Sequence, residues 1–143
     1  MLGTMASRSD ATPPAKAGLR ILLVEDEELI AELFAETLSA DGHDVALAGD
    51  GQEALKLFAA AEAVGETFDI VVTDVRMPRM DGVTLANRLR SAHPELPVVV
   101  VSGYASAEQL SALSRGEPGR LVVLPKPVNL TRLCTAVRFA TRH

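Results

Sequence analysis

Cysteine is nearly missing from this 143-residue chain: Cys134 stands alone, which excludes an internal disulfide and a thiolate metal cluster. A core that manages without bridges fits a reducing compartment, so a cytoplasmic location is expected. Long hydrophobic runs are missing too. Stretches such as 21–24 and 98–101 fall far short of the ~18 apolar residues of a membrane span, and a soluble protein is expected. Positive charge is in deficit: 14 Lys and Arg face 19 Asp and Glu, a formal charge of −5. That balance is a poor match to nucleic acid or to anionic lipid, so the expected partner is a protein, a cation or a small group. No Gly-x-Ser-x-Gly elbow is present, and Ser102 lacks evident His and Asp partners for a hydrolase triad. What is there is 48% apolar residues, enough for one domain of the common size of about 100–150 residues.

Residues 1–18 mix Ser, Thr, Pro and Ala with no apolar block of signal-peptide length, and read as a flexible tail ahead of a domain at 19–142. Within that domain, short apolar runs alternate five times with stretches whose apolar residues recur at three and four. The runs 19–24, 44–48, 68–73, 97–101 and 121–124 are mostly continuous, the pattern of strands covered on both faces. The first periodic stretch, 28–40, puts Ile30, Leu33, Phe34 and Leu38 on one helical face, with Gly42 as its stop. Asp50 and Glu53 stand at the spacing of a capping box for the second helix, and Pro94 closes a third over 82–93. Ser106 and Gln109 repeat the box for a short helix with Leu110 and Leu113 as its large apolar residues. The stretch 116–119 is a turn, and Asn129 caps a final helix bearing Leu130, Leu133, Cys134 and Val137. Cys134 is expected in the core. His43, His93 and His143 fall in turns or at the chain end, which predicts surface positions.

Five βα units with right-handed crossovers make an open, doubly wound α/β sheet, and such sheets carry their sites at the carboxyl ends of the strands. Glu25 and Asp26 end the first strand, Asp74 the third and Ser102 the fourth, and Lys126 follows the fifth. Three carboxylates in one crevice repel one another unless a cation sits among them, and hard oxygen ligands suit Mg²⁺. Asp74 at the centre keeps an oxygen free to act as a nucleophile toward phosphorus. Phosphoryl transfer needs positioning and positive charge on the equatorial oxygens, which Mg²⁺, Lys126 and the Ser102 hydroxyl would supply.

Several motifs stand at these strand ends: Leu22-Leu23-Val24-Glu25-Asp26-Glu27, Asp69-Ile70-Val71-Val72-Thr73-Asp74, Met77-Pro78 with Asp81-Gly82, Ser102-Gly103-Tyr104, and Leu124-Pro125-Lys126-Pro127. Together, over about residues 19–142, they closely resemble the receiver domain of two-component response regulators. The resemblance implies a flavodoxin-like three-layer (βα)₅ sandwich with strand order 2-1-3-4-5. By the same resemblance Asp74 matches the phosphoacceptor, Asp26 the direct Mg²⁺ ligand, Glu25 the acid that holds the ion partly through water, and the Arg76 carbonyl a third protein ligand. Ser102 matches the switch hydroxyl and Lys126 the lysine that pairs with the phosphoryl group. The donor implied is a phosphohistidine on a sensor histidine kinase or histidine phosphotransfer protein. The output implied is a conformational change around the fourth helix, fifth strand and fifth helix that a downstream protein reads.

Two positions depart from the pattern. Val123 stands where many receivers carry an aromatic three residues before the lysine, and Val128 replaces the usual aromatic after Lys-Pro. A switch in this chain cannot use that ring, and Tyr104 is the only tyrosine available near Ser102.

Singly, each motif has a plain reading. Glu25 and Asp26 would be acids drawn to the positive end of a helix, Met77-Pro78 and Asp81-Gly82 turn chemistry, and Lys126 a solvated charge. Their joint occurrence favours a phosphoacceptor signalling module over a Mg²⁺-dependent phosphohydrolase. Such hydrolases usually carry a second acid two residues after the nucleophile, where this chain has Arg76. A receiver-shaped module without phosphorylation is disfavoured by the intact acids, Ser102 and Lys126. The sequence fits either a stand-alone receiver or one excised from a hybrid kinase or larger regulator.

In the family, the positions two past the acceptor and two past the switch hydroxyl border the approach of the hydrolytic water. Here they are Arg76 and Tyr104, which can stack on each other for about 0.5–1 kcal/mol at an exposed site and shield the phosphoryl group. Arg76→Ala and Tyr104→Ala are each expected to speed the loss of phosphate after the donor is removed; unchanged decay in both variants rejects the shield.

Overall fold

Uninterrupted apolar strands joined by helical crossovers form a parallel sheet covered on both faces. The computed structural model, which describes residues 18–103, 116 and 118–142, has that arrangement. Its elements are β1 (Arg20–Val24), α1 (Glu28–Ala40), β2 (Asp44–Ala48), α2 (Gly51–Ala63), β3 (Ile70–Asp74), α3 (Gly82–Ala92), β4 (Val98–Ser102), a 3-10 turn (Pro118–Arg120), β5 (Leu121–Pro125) and α4 (Leu130–Thr141). Every strand pair is parallel and the order is β2-β1-β3-β4-β5. The tail 1–17, Tyr104, the helix expected from Ser106 and His143 lie outside the described residues.

The two-residue alternation of a strand splits the core into two layers. Leu22, Val24, Val71, Val98 and Val100 face α2 and α3, where Phe58, Val83, Leu85 and Leu89 pack. Ile21, Leu23, Ile70, Val72, Val99 and Val101 face α1 and α4, against Phe34, Leu38, Leu133 and Val137. Burying such a side chain contributes about 1.5–3 kcal/mol. Cys134 is half-buried against this second layer. The edge strands β2 and β5 are only partly covered.

Strand ends depart slightly from the apolar runs, because ladder hydrogen bonds rather than hydropathy terminate a strand. β3 starts at Ile70, with Phe68 already in the core before it. At the other end the ladders continue: Val75 N–H donates to Val101 O at 3.1 Å and Lys126 N–H to Ser102 O at 2.9 Å. Helix α3 stops at Ala92, with His93 at its cap out of helical geometry (φ −132°, ψ 77°), as a residue before proline disfavours the helix. The Arg90 guanidinium, fully buried, donates to Leu96 O at 2.8 Å and Arg120 O at 3.3 Å, tying α3 to the turn before β5.

His43 corrects a surface expectation. Gly42, at φ +96°, closes α1 by donating to Ser39 O while His43 N–H reaches back to Leu38 O at 3.2 Å, a pairing that turns the chain inward. The imidazole is therefore buried, and its Nδ1 accepts the Leu19 N–H at 3.2 Å. Sequence spacing marks the turn but not which way its next side chain points. His93 matches the expectation better, half-exposed beside Glu62 and the Phe58 ring.

Burial pulls the His43 pKa below its ordinary 6.5, outweighing the opposing pull of Asp41. The unfolded chain then binds the proton more readily, so His43 stabilises above its unfolded pKa and that stability is lost as pH falls through the folded value. In denaturant titrations, His43→Asn, which keeps an acceptor for the Leu19 N–H, is expected to lose less stability than wild type between pH 7.5 and 5.5. Parallel losses would show that His43 is not the titrating group.

Candidate functional site

Register brings the polar residues together. Val24 lies opposite Thr73 and Asp74 opposite Val101, so Glu25, one step past Val24, comes level with Asp74. Ser102 lies opposite Pro125, which puts Lys126 one step beyond β4. Glu25, Asp26 and Asp74 offer carboxylate oxygens that all lie within 4.8 Å of one another. Glu25 and Asp74 are buried, at 4% and 5% exposure, while Asp26 is open to solvent.

Both oxygens of Asp74 have donors. Lys126 Nζ donates to Oδ2 at 2.7 Å, and the Arg76 N–H donates to Oδ1 at 3.3 Å. The Arg76 side chain is exposed. Ser102 is buried at the end of β4, where its carbonyl accepts the Lys126 N–H. Asp74, Arg76, Gly103, Lys126 and Pro127 line an open cleft of about 400 Å³ that gives access to the carboxylate. The Lys126–Pro127 peptide is cis.

The electrostatics reflect this crowding. Burial drives the Glu25 carboxyl up to about 7, with Asp74 and Asp26 adding to the rise and the Glu27 N–H and Lys126 opposing it. For Lys126, partial burial pulls down, but the Asp74 hydrogen bond and the nearby acids prevail and hold its ammonium above the ordinary value. Three carboxylates against one ammonium leave the cluster short of positive charge. An all-oxygen donor set of this kind fits a hard divalent cation.

The structure thus gathers Glu25, Asp26, Asp74, Lys126 and the Arg76 backbone, with Ser102 on the adjoining strand end. Val123 is 40% exposed and Val128 half-buried on the far core layer, so neither replaces the missing ring. Two glycines have spatial roles that the motifs alone do not reveal. A Cβ on Gly82 would stand 2.0 Å from the Asp74 carbonyl oxygen, and one on Gly103 would stand 3.3 Å from Lys126 Cδ. Asp81-Gly82 reads as turn chemistry; the close approach behind the acidic cluster is what requires the glycine.

The sequence profile of the response regulator receiver domain matches residues 21–138. The sensor kinase CckA of Brucella abortus is 41% identical over 82% of this chain, which covers 12% of that protein. The response regulator MprA of Mycolicibacterium vanbaalenii is 38% identical over 87% of the chain, covering 51% of that protein. The chain therefore spans about half or less of these curated relatives. Among solved structures, a response regulator receiver protein from Sinorhizobium medicae superposes with a TM-score of 0.71 at 33% identity, covering 84% of this chain and 91% of its own.

The raised Glu25 carboxyl gives a pH signature with a definite sign. A folded value of about 7 against an ordinary 4.5 means that its stabilising contribution is complete at acid pH and is lost as pH rises through 7. In EDTA buffer, Glu25→Gln is expected to raise Tm by a few degrees at pH 8 and to change it little at pH 4.5. An equal effect at both pH values would place the ionisation elsewhere.

Proposed function

The chain belongs to the response regulator receiver domain family, and from that premise we propose that Asp74 accepts a phosphoryl group from a phosphohistidine in a Mg²⁺-dependent reaction. One observation carries the reading: a buried carboxylate at a strand end, within 4.8 Å of two further acids and bonded to Lys126 Nζ at 2.7 Å, opens on a solvent cleft. An Asp74 oxygen forms the new bond to phosphorus while the bond from phosphorus to the donor imidazole nitrogen breaks. Glu25, Asp26, Asp74 and the Arg76 carbonyl would hold Mg²⁺, which when bound supplies positive charge to the phosphoryl oxygens. Lys126 leaves Asp74 Oδ2 for a phosphoryl oxygen, and the Ser102 hydroxyl donates to another.

The donor is a sensor histidine kinase or histidine phosphotransfer protein, and the chain acts in the cytoplasm. No described helix is long and apolar enough to cross a membrane. With valine at 123 and 128, the phosphorylated state is read through the segment after Ser102, β5 and α4 without the usual aromatic turning inward. The exposed Arg76 two residues past Asp74 supports signalling over phosphohydrolysis, since it offers no second acid to the reaction.

Asn keeps the shape of the acceptor but lacks its nucleophilic oxygen. Asp74→Asn is expected to fold normally and to take no label from a phosphohistidine donor, and persistent acid-labile phosphate on it would overturn the assignment. Loss of a charged ligand weakens a hard-cation site on the order of tenfold or more. Asp26→Asn is accordingly expected to shift the Mg²⁺ dependence of labelling upward by that factor, whereas Glu62→Gln leaves it in place. Superimposable Mg²⁺ titrations would reject Asp26 as a ligand.

A further inference from the structure

The acidic cluster has two arms, and only part of what sets their separation lies in the sheet. One arm is Glu25 and Asp26, just past β1; the other is Asp74 with the seven-residue connection to α3. The connection is tied to β4 by Val75 N–H to Val101 O and closed on itself by Gly82 N–H to Val75 O, at 3.1 and 2.8 Å. Its tip, Pro78 to Met80, is held differently. Arg79 sits at φ +69°, a left-handed conformation that a branched-off side chain disfavours. Its guanidinium pairs with Asp50 Oδ2.

Asp50 uses both oxygens. Oδ1 accepts the Glu53 N–H at 2.8 Å and caps α2, while Oδ2 holds Arg79. The Glu53 side chain accepts the Gly49 N–H at 2.6 Å, one residue earlier than a reciprocal capping box would place it. Beside this pair, Met80 is buried against Gly51 so closely that a Cβ at 51 would stand 2.9 Å from Met80 Cβ. The turn 48–51 also supports the other arm, because the Glu25 N–H donates to Ala48 O at 3.0 Å. A closed circuit results: Asp74, its loop, Arg79, Asp50, Ala48, Glu25, and back across the carboxylates.

We infer that the Asp50–Arg79 ion pair is a brace that fixes the distance between the Glu25–Asp26 arm and the Asp74 arm, making both residues positioning residues for the cation and acceptor site. This rests on the phosphoacceptor reading. Neither residue lines the cleft that opens on Asp74. Asp50 acts on Glu25 through Ala48, and Arg79 acts on Asp74 and the Arg76 backbone through the loop.

Two substitutions separate the brace from the local roles of its members. Asp50→Asn keeps the helix cap, since Asn caps as well as Asp, but loses the charge. Arg79→Gly takes up φ +69° without strain but has no guanidinium. Calorimetric Mg²⁺ titration, labelling rate at saturating Mg²⁺, and amide exchange at Met80 and Gly82 are measured on both, on the double variant and on Arg79→Lys. With Tm near wild type, each single variant is expected to need about five- to tenfold more Mg²⁺ and to label about tenfold more slowly, as small misplacements of reacting groups do. Exchange at Met80 and Gly82 quickens, the double variant is no worse than either single, and Arg79→Lys recovers most of the loss. Unchanged Mg²⁺ binding and exchange in both singles, or strict additivity in the double, overturns the brace while leaving the acceptor reading intact. A wild-type protein that takes neither Mg²⁺ nor label overturns the acceptor reading and, with it, the brace as a device for that site; the exchange data would then report only a loop contact.

Discussion

Like-charge crowding at the carboxyl edge of the sheet is the constraint to which the rest of this molecule answers. Two carboxylates 4 Å apart repel by about 1 kcal/mol in water and about 4 kcal/mol at an effective dielectric of 20. Here three such groups share one space, two of them buried. Lys126 offsets part of the repulsion from β5, and the start of α1 places the positive end of a helix beside Glu25 and Asp26. The remaining deficit of positive charge suits the site to a small, hard cation.

Such a site survives only on a rigid base. β1, β3 and β4 are buried along almost their whole length, so the strand ends cannot drift apart without opening both core layers. Close-packed interiors transmit strain rather than absorb it. The tight approach of Gly82 to the Asp74 carbonyl extends that rigidity into the loop, where a side chain would force the end of β3 and α3 apart. The edge strands differ: β5 is partly open, with Val123 exposed, and it pairs with β4 up to Ser102. The middle of the sheet is thus rigid, and this edge is more loosely packed.

Membership of the receiver family accounts for the common site, and the departures mark what is particular to this chain. Valines at 123 and 128 depart from the family pattern and Arg76 stands two residues past Asp74, while the acids, Ser102 and Lys126 are kept. The relatives carry a matching region inside proteins described as a sensor kinase and as a response regulator. One domain thus occurs in proteins of different overall design, in keeping with one fold serving many contexts.

The sequence by itself determined the element order, the parallel sheet and the convergence of Glu25, Asp26, Asp74, Ser102 and Lys126. Apolar runs with helical spacing between them permit one class of sheet, and strand ends are one-dimensional information. Capping at Asp50 and Asn129 was legible for the same reason, since a cap reaches only two or three residues along the chain, whereas Asp81, which reads as turn chemistry, also caps α3. Tertiary structure decided what depends on contacts across the chain. His43 is buried because the α1 turn points it at the Leu19 N–H, 24 residues away. Gly82 is required by the Asp74 carbonyl, a close approach that composition cannot reveal. Arg79 meets Asp50 across 29 residues because the loops leading into α2 and α3 come together where those helices pack on the same face of the sheet, an adjacency that no local pattern encodes.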